Sequence, residues 1–401
     1  MAGRKPAMGG DGRRLVAIDA RMLTRPLRGM PLYLQNLCRE LPRQMADTRF
    51  LFFINTGFEH NVPAAEYRQR LEEFTSLSNV EILDMPYPSD IYWEQVLLPW
   101  ATFKKRVRLL FMPGNRRPFF SFCPTVVALH DVMEWLYPAR LMAAPEGAGA
   151  RLRFYFWRER LYVWFQYRFA LRFSQAMVTV SHHAADEIQR HLRIPRDRIT
   201  VAYHGIPPGY RTSPGSSPPR EQRNYCLMLG GDSYQKNPEG ALAAWARVPP
   251  DLRRAHPLRI AGFVGASGSP LLQALEKHAL KSEVEIIPWV GEAELIGLFR
   301  GAALLIFLSR HEGFGFPLVQ AMAAGTPVVH SNATSLGELG GNAGIAVAPE
   351  DTQAAAEGIR TLLTDAAKWE ACRQAGWKQS AGFEWNVSAR IHAEIFANYW
   401  K

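Results

Sequence analysis

The chain has 401 residues, 47% of them hydrophobic, with 31 glycines and 28 prolines and no low-complexity tract or fixed-period repeat, so two domains with sizeable cores are expected and a solenoid or disordered chain is excluded. Its net charge of +10 is uneven, since residues 1–200 hold 29 Lys+Arg against 19 Asp+Glu while residues 201–401 hold 18 of each; a basic surface of this kind attracts phosphate as nucleic acid, anionic lipid or phosphorylated substrate. The 4 cysteines, Cys38, Cys123, Cys226 and Cys372, form no CxxC pair, which excludes a disulfide framework and favours inert thiols in a reduced compartment over a metal site.

The N-terminal MAGRKPAMGGDGRR lacks the apolar core of a signal peptide, and no apolar run reaches the ~18 residues that would span a bilayer. A cytoplasmic protein is expected. LVAID at 15–19 reads as a short buried strand, followed by a helix from Pro31 through Leu41, where proline suits the first turn because its missing N–H is an orphan there. Further strands are expected at 49–55, 125–131 and 176–181. The Pro-, Gly- and Ser-dense stretch 206–223 reads as an exposed linker.

Beyond it the alternation restarts with NYCLMLGG (strand), PEGALAAWARV (helix), PLRIAGFV (strand), SPLLQALEKHAL (helix) and VEIIPWV (strand). EAELIGLFRGA (helix), ALLIFLS (strand), PLVQAMAAG (helix) and TPVVHS (strand) follow. Strands alternating with helices predict parallel sheets with covered faces. The chain is therefore expected to be α/β, with two Rossmann-like domains facing across a cleft. Residues 1–205 form the first, 206–223 the linker, 224–385 the second, and a helix over 386–401 packs back on the first. Ligands in such sheets sit beyond the carboxyl ends of the strands, where His130, the Gly230-Gly231 turn and Glu312 fall.

The richest stretch is HEGFGFPLVQAMAAGTPVV, from His311 to Val329. Gly313 and Gly315, flanking Phe314, let main-chain N–H groups approach a ligand without side-chain obstruction. A helix starting near Pro317 aims its positive end at the same place, which suits a diphosphate. Glu312 can accept hydrogen bonds from sugar hydroxyls, and the Gln320 amide, eight positions on, can both donate to and accept from neutral hydroxyls such as those of a ribose. The plain alternative is a glycine-rich turn beside a solvated glutamate.

These residues resemble the signature of the family 4 retaining glycosyltransferases of the GT-B fold, and more particularly bacterial mannosyltransferases of surface polysaccharide assembly. The family shows two glutamates separated by seven residues, and Gln320 stands at the second, which usually holds the ribose. GGDSYQKNPEGALAAW resembles the family's glycine turn and Lys-Asn pair, so the resemblance implies donor-diphosphate neutralisation by Lys236 beside Gly230 and Gly231. Gly231 and Gln235 stand where the family often carries arginines. VVALHDVMEWLYP resembles its His-Asp pair, which places His130 against the donor sugar, and Asp131 reads as a helix cap. LRGMPLY resembles the loop in which Gly29 approaches the cleft, with Pro31 where a second glycine is usual. IYWEQVLLP, with Trp93, Glu94, Gln95 and Pro99, and TVSHHAADEI, with Ser181 as an N-cap, also match and read as structural.

The stretch 151–173 mixes six arginines with many large aromatics. With KKRVRLLFMPGNRRPFF at 104–120 it suits a helix lying on an anionic membrane; a partly buried helix with snorkelling arginines is the alternative. Aromatic-basic interleaving also binds single strands, but no nucleic-acid-binding module is visible.

The resemblance implies a retaining transferase, catalysed through His130, Glu312 and Lys236, that acts by front-face attack without a metal or resident cofactor. The donor is a nucleotide diphosphate sugar, GDP-mannose first. The acceptor is a lipid-linked saccharide at the inner face of the plasma membrane, where the protein would be peripheral. Two other classes stay open: a GT-B-fold UDP-sugar epimerase, and a nucleotide-sugar-binding protein without turnover.

Overall fold

Short, nearly continuous apolar runs make most of the strands, as expected where helices cover both faces of a parallel sheet. The computed structural model describes residues 14–27, 29–58, 61–142, 147, 149–263 and 269–399. A first sheet contains β1 (Arg14–Asp19), β2 (Thr48–Ile54), β3 (Val80–Asp84), β4 (Leu109–Met112), β5 (Thr125–Ala128), β6 (Ala176–Thr179) and β7 (Ile199–Val201), in the order β3-β2-β1-β4-β5-β6-β7. A second contains β8 (Tyr225–Leu229), β9 (Leu258–Ala261), β10 (Val284–Ile287), β11 (Ala302–Phe307), β12 (Val328–Ser331) and β13 (Gly344–Val347), in the order β10-β9-β8-β11-β12-β13. The neighbouring strands described pair in parallel, with β8 lying between β9 and β11. Both sheets are thus Rossmann-like, as the sequence leads one to expect. In each, the chain runs outward on one side of the first strand and then crosses to the other, which creates a switch point beside that strand.

By contacts the chain divides into Met1–Leu129 with Gln166–Val178 and Ser388–Lys401 as one unit, and His130–Phe165 with Thr179–Val387 as another. In the first unit, Gly29 takes φ +51° and precedes the helix Met30–Gln44, whose first turn carries Pro31. The Tyr33 hydroxyl of this helix meets His392 Nε2 at 2.8 Å, and His392 Nδ1 lies 2.7 Å from Ser388 O. Phe111 packs against His392 and Phe396 with ring centroids at 5.5 and 5.3 Å, so residues 388–399 share a buried knot with β4. Trp93 to Leu97 form a wide helical turn. From it, buried Glu94 bonds Arg21 at 2.9 Å, while Asp19 at the end of β1 bonds the same guanidinium at 2.7 Å and Trp93 underlies it at 4.4 Å. These residues hold one another, in keeping with a structural role for IYWEQVLLP.

In the second unit, the stretch 206–223 departs from the exposed linker expected of its composition. Ile206, Tyr210 and Arg223 are buried. The Arg223 guanidinium, 1% exposed, donates to Ala302 O at 2.9 Å, Thr326 Oγ1 at 2.7 Å and Ser217 Oγ at 2.8 Å. Burial holds its pKa down at about 10. An arginine can be buried without a carboxylate when its fork is filled by main-chain and hydroxyl oxygens. Proline and glycine mark the chain reversals here, but a single cation stitches them to β11 and the turn before β12.

Candidate functional site

The site is built where the second sheet changes direction. β8 and β11 are neighbours, so the loops after them, 230–237 and 308–315, emerge side by side at their carboxyl ends. In the first loop, Gly230 donates its N–H to Ala261 O at 2.7 Å, and a Cβ there would meet Phe263 Cβ at 2.8 Å. A Cβ on Gly231 would lie 3.0 Å from Lys236 Cγ. The glycine turn therefore folds back on itself and gives the lysine stem room. Asn237, in the left-handed region with φ +54°, fixes the turn. Its Oδ1 accepts from Gly240 N at 3.2 Å, and its Nδ2 donates to Leu308 O at 3.0 Å and Pro349 O at 2.7 Å. Lys236 Nζ, thus placed, pairs with Glu312 Oε1 at 2.7 Å.

The second loop is held by its carbonyls. Ser335 Oγ donates to Glu312 O at 2.8 Å and to Phe314 O at 3.0 Å, and Ser181 Oγ donates to Gly313 O at 2.9 Å. Glu312 N–H donates to Thr334 Oγ1 at 3.1 Å. The N–H groups of Gly313, Phe314, Gly315 and Phe316 have no acceptor among the described residues. Gly315 takes φ +99° and starts the helix Phe316–Ala323. Fixed oxygens and unfilled N–H groups at a helix start make an anion cradle. Within that helix Gln320 is 5% exposed, and its side chain finds no hydrogen-bond partner among the described residues. Its amide tip keeps contact with solvent and can both donate and accept, so it suits a polar ligand.

His130, also buried, follows β5, and a Cβ on Gly313 would lie 2.4 Å from its carbonyl oxygen. Only glycine lets these two main chains approach so closely. The His130 ring lies 5.3 Å from that of His204, which in turn lies 4.8 Å from Phe314. Asp131, one residue before Val132, the N-cap of the short helix that follows, accepts from Met133 N through Oδ1 at 2.9 Å. Burial pushes the Asp131 carboxyl up to about 6, against the Met133 N–H bond and the nearby His311 charge.

Of the residues singled out in the sequence, Lys236, Glu312, Gly230, Gly231, Gly313, Phe314, Gly315, Gln320 and His130 belong to one unit, and Gly29 lies in the other. Sequence reasoning missed what supports them. Thr334, a β-branched residue at φ +55°, carries backbone strain of about 1–3 kcal/mol beside Glu312. Ser181, expected only as an N-cap, also grips the Gly313 carbonyl. His311, 3% exposed, has Nε2 at 3.3 Å from Glu187, whose other oxygen lies 3.4 Å from His183 Nε2. Burial works against charge on both partners, yet the pairing prevails: Glu187 is held down at about 2 and His311 is raised above its ordinary value. The Ser/Thr cluster SNATS after β12 and the His-Glu pair at 311–312 were the only signals available.

Residues 27–210 match the family model "Glycosyltransferase Family 4", and residues 210–379 match "Glycosyl transferases group 1". The chain is 31% identical over 219 residues to O-antigen chain mannosyltransferase B of Escherichia coli, covering 53% of this chain and 58% of that protein. It is 32% identical over 232 residues to the glycogen synthase of Mycobacterium tuberculosis, covering 56% and 55%. The chain thus spans about half the length of the curated relatives it matches. In fold it is similar to Anabaena HepE, solved with UDP and glucose, at TM-score 0.67 and 18% identity over 96% of this chain and 99% of that one.

The His311–Glu187 pair gives a pH signature. A histidine whose folded pKa is raised above 6.5 adds stability below 6.5, and that stability is lost as pH rises through the folded value. With Glu187 held at about 2 and Asp131 at about 6, both are mostly ionised above that range. The melting temperature is expected to fall as pH rises above 6.5, and Glu187→Gln is expected to flatten that fall. An unchanged slope in the variant contradicts the pairing.

Proposed function

Because this chain belongs to the family 4 glycosyltransferases of the GT-B fold, we propose that it moves a sugar from a nucleotide diphosphate donor to a saccharide acceptor in polysaccharide synthesis. The observation that carries this reading is the unfilled N–H cradle of Gly313–Phe316 beside Lys236, at the switch point of the second sheet. Transfer requires the departing diphosphate to be stabilised as its charge grows. Preorganised N–H donors and a helix start supply that without reorganisation, and Lys236 adds a positive charge. Glu312 holds the ammonium in place in the free protein and is suited to take sugar hydroxyls when the donor enters. Gln320 is proposed for the ribose hydroxyls, and His130 for the donor sugar. We propose retention by front-face attack, with the leaving phosphate taking the acceptor proton and no metal or resident cofactor engaged.

GDP-mannose is the first donor to test, since O-antigen chain mannosyltransferase B is among the relatives. The glycogen synthase match makes UDP- and ADP-glucose the next. A lipid-linked acceptor at an anionic membrane, on its cytoplasmic face, fits the surface chemistry of each unit. In the first, Phe120 is 85% exposed and Trp100, Phe103 and Phe122 are exposed near Lys104, whose ammonium lies 4.7 Å from the Trp100 ring centroid. In the second, the part of the helix Ala150–Arg168 up to Phe165 exposes Phe154, Trp157 and Trp164 among its arginines. Tyr162, Val163, Gln166 and Tyr167 of the same helix are buried, so its second half also fits the partly buried alternative. Among the described residues no helix is long and apolar enough to cross a membrane. Binding without turnover is the second reading, favoured by the neutral Gln320, Gly231 and Gln235.

Two outcomes follow. Lys236→Ala and Glu312→Ala should each lower transfer, or slow donor hydrolysis, by at least about a hundredfold while the circular dichroism spectrum is kept; full release of nucleotide by either variant rejects the site. Donor binding by the wild-type chain without any release supports the second reading instead. Replacing Trp100, Phe103, Phe120 and Phe122 with serine should weaken flotation with phosphatidylglycerol vesicles at least tenfold, and undiminished flotation rejects this membrane face.

A further inference from the structure

A diphosphate carries at least two negative charges, and the loop that meets it is short of cations. Lys236 is already paired with Glu312 at 2.7 Å. Gly231 and Gln235 are uncharged. Arg310 is committed elsewhere, with Nε at 2.5 Å from Glu350 Oε1, Nη1 donating to Tyr234 O at 2.9 Å, and its main-chain N–H on Gln235 O at 2.7 Å. One more guanidinium reaches the same turn. Arg140 lies over the Tyr234 ring, with Cζ 3.6 Å from its centroid, and Tyr234 opens the turn Tyr234–Lys236. Arg140 is exposed, and its guanidinium makes no hydrogen bond or ion pair among the described residues.

The segment that carries Arg140 is tied to both loops of the site. Its start, His130, offers the carbonyl against which Gly313 packs. Tyr137 sets its ring 6.1 Å from Tyr234 and 5.9 Å from His311. Tyr234 thus holds an arginine whose donors are unspent, beside the turn that presents Lys236.

We propose that Arg140 is the second cation for the donor's diphosphate, supplying from the segment after β5 the charge that Gly231 and Gln235 omit. This rests on the donor reading above. A guanidinium suits the task because its planar fork meets two phosphate oxygens at once, and stacking on an aromatic face leaves its N–H edge free. An ammonium in its place keeps the charge and loses the fork.

The test is calorimetric titration of the full chain with GDP and UDP, and with guanosine and uridine as charge-free controls. Arg140→Gln should weaken the tighter nucleoside diphosphate about tenfold, ~1.4 kcal/mol, and Arg140→Lys should fall between it and wild type. Tyr234→Leu, which removes the stack and keeps both charges, should weaken it severalfold. Nucleoside binding should not change. Equal affinity in wild type and Arg140→Gln overturns the role of Arg140 and leaves the donor reading standing. A wild-type chain that binds neither diphosphate overturns the donor reading and this inference with it.

Discussion

The Lys236–Glu312 ion pair is the contact on which the rest of the site depends. It joins two loops separated by 76 residues in sequence, and it exists because β8 and β11 are adjacent in the sheet. Lys236 is 29% and Glu312 12% exposed at the side chain, so the pair is neither buried beyond reach nor screened as an ordinary surface bridge is. An ammonium that rests on a carboxylate keeps its orientation, and in the proposed function an arriving diphosphate would take the carboxylate's place beside Lys236. The cradle beside it follows the same logic. Oxygens at 312, 313 and 314 are anchored by Ser335 and Ser181, while the N–H groups of 313 to 316 have no acceptor among the described residues.

Much of this was legible in the sequence, for physical reasons. The strand–glycine–helix punctuation of ALLIFLSRHEGFGFPLVQAMAAG fixes a turn that only certain backbones can make, and Gly315 at φ +99° is that turn. The second sheet was readable as far as β12 because its strands are bounded by Gly, Pro and capped helices. The first was less so. β3 is a half-exposed run of mixed polarity, β4 is only LLFM between basic flanks, and β7 is only three residues long. Nothing local marks such strands; the pairing partners make them. The linker failed differently, since its composition describes turns correctly but says nothing of Arg223, whose burial depends on carbonyls about 80 and 100 residues away.

The supporting residues share that property. Thr334, Ser335, Ser181 and Glu187 act on the signature loop through contacts spanning 21 to 132 residues. A motif shows which groups face a ligand; the groups that hold the motif in place are scattered. The departures at Gly231, Gln235 and Gln320 are likewise intelligible only with the fold in hand. Gly231 leaves room for the Lys236 stem, and Gln320 is a largely covered side chain whose amide tip still meets solvent.

The central claim is that the N–H groups of Gly313, Phe314, Gly315 and Phe316 receive the diphosphate. Amide hydrogen exchange, resolved to these residues, with and without saturating nucleoside diphosphate, tests it most directly. Exchange at the four positions should slow on binding, together with the Lys236 turn. Tight binding that leaves all four amides exchanging at their free rate contradicts the account.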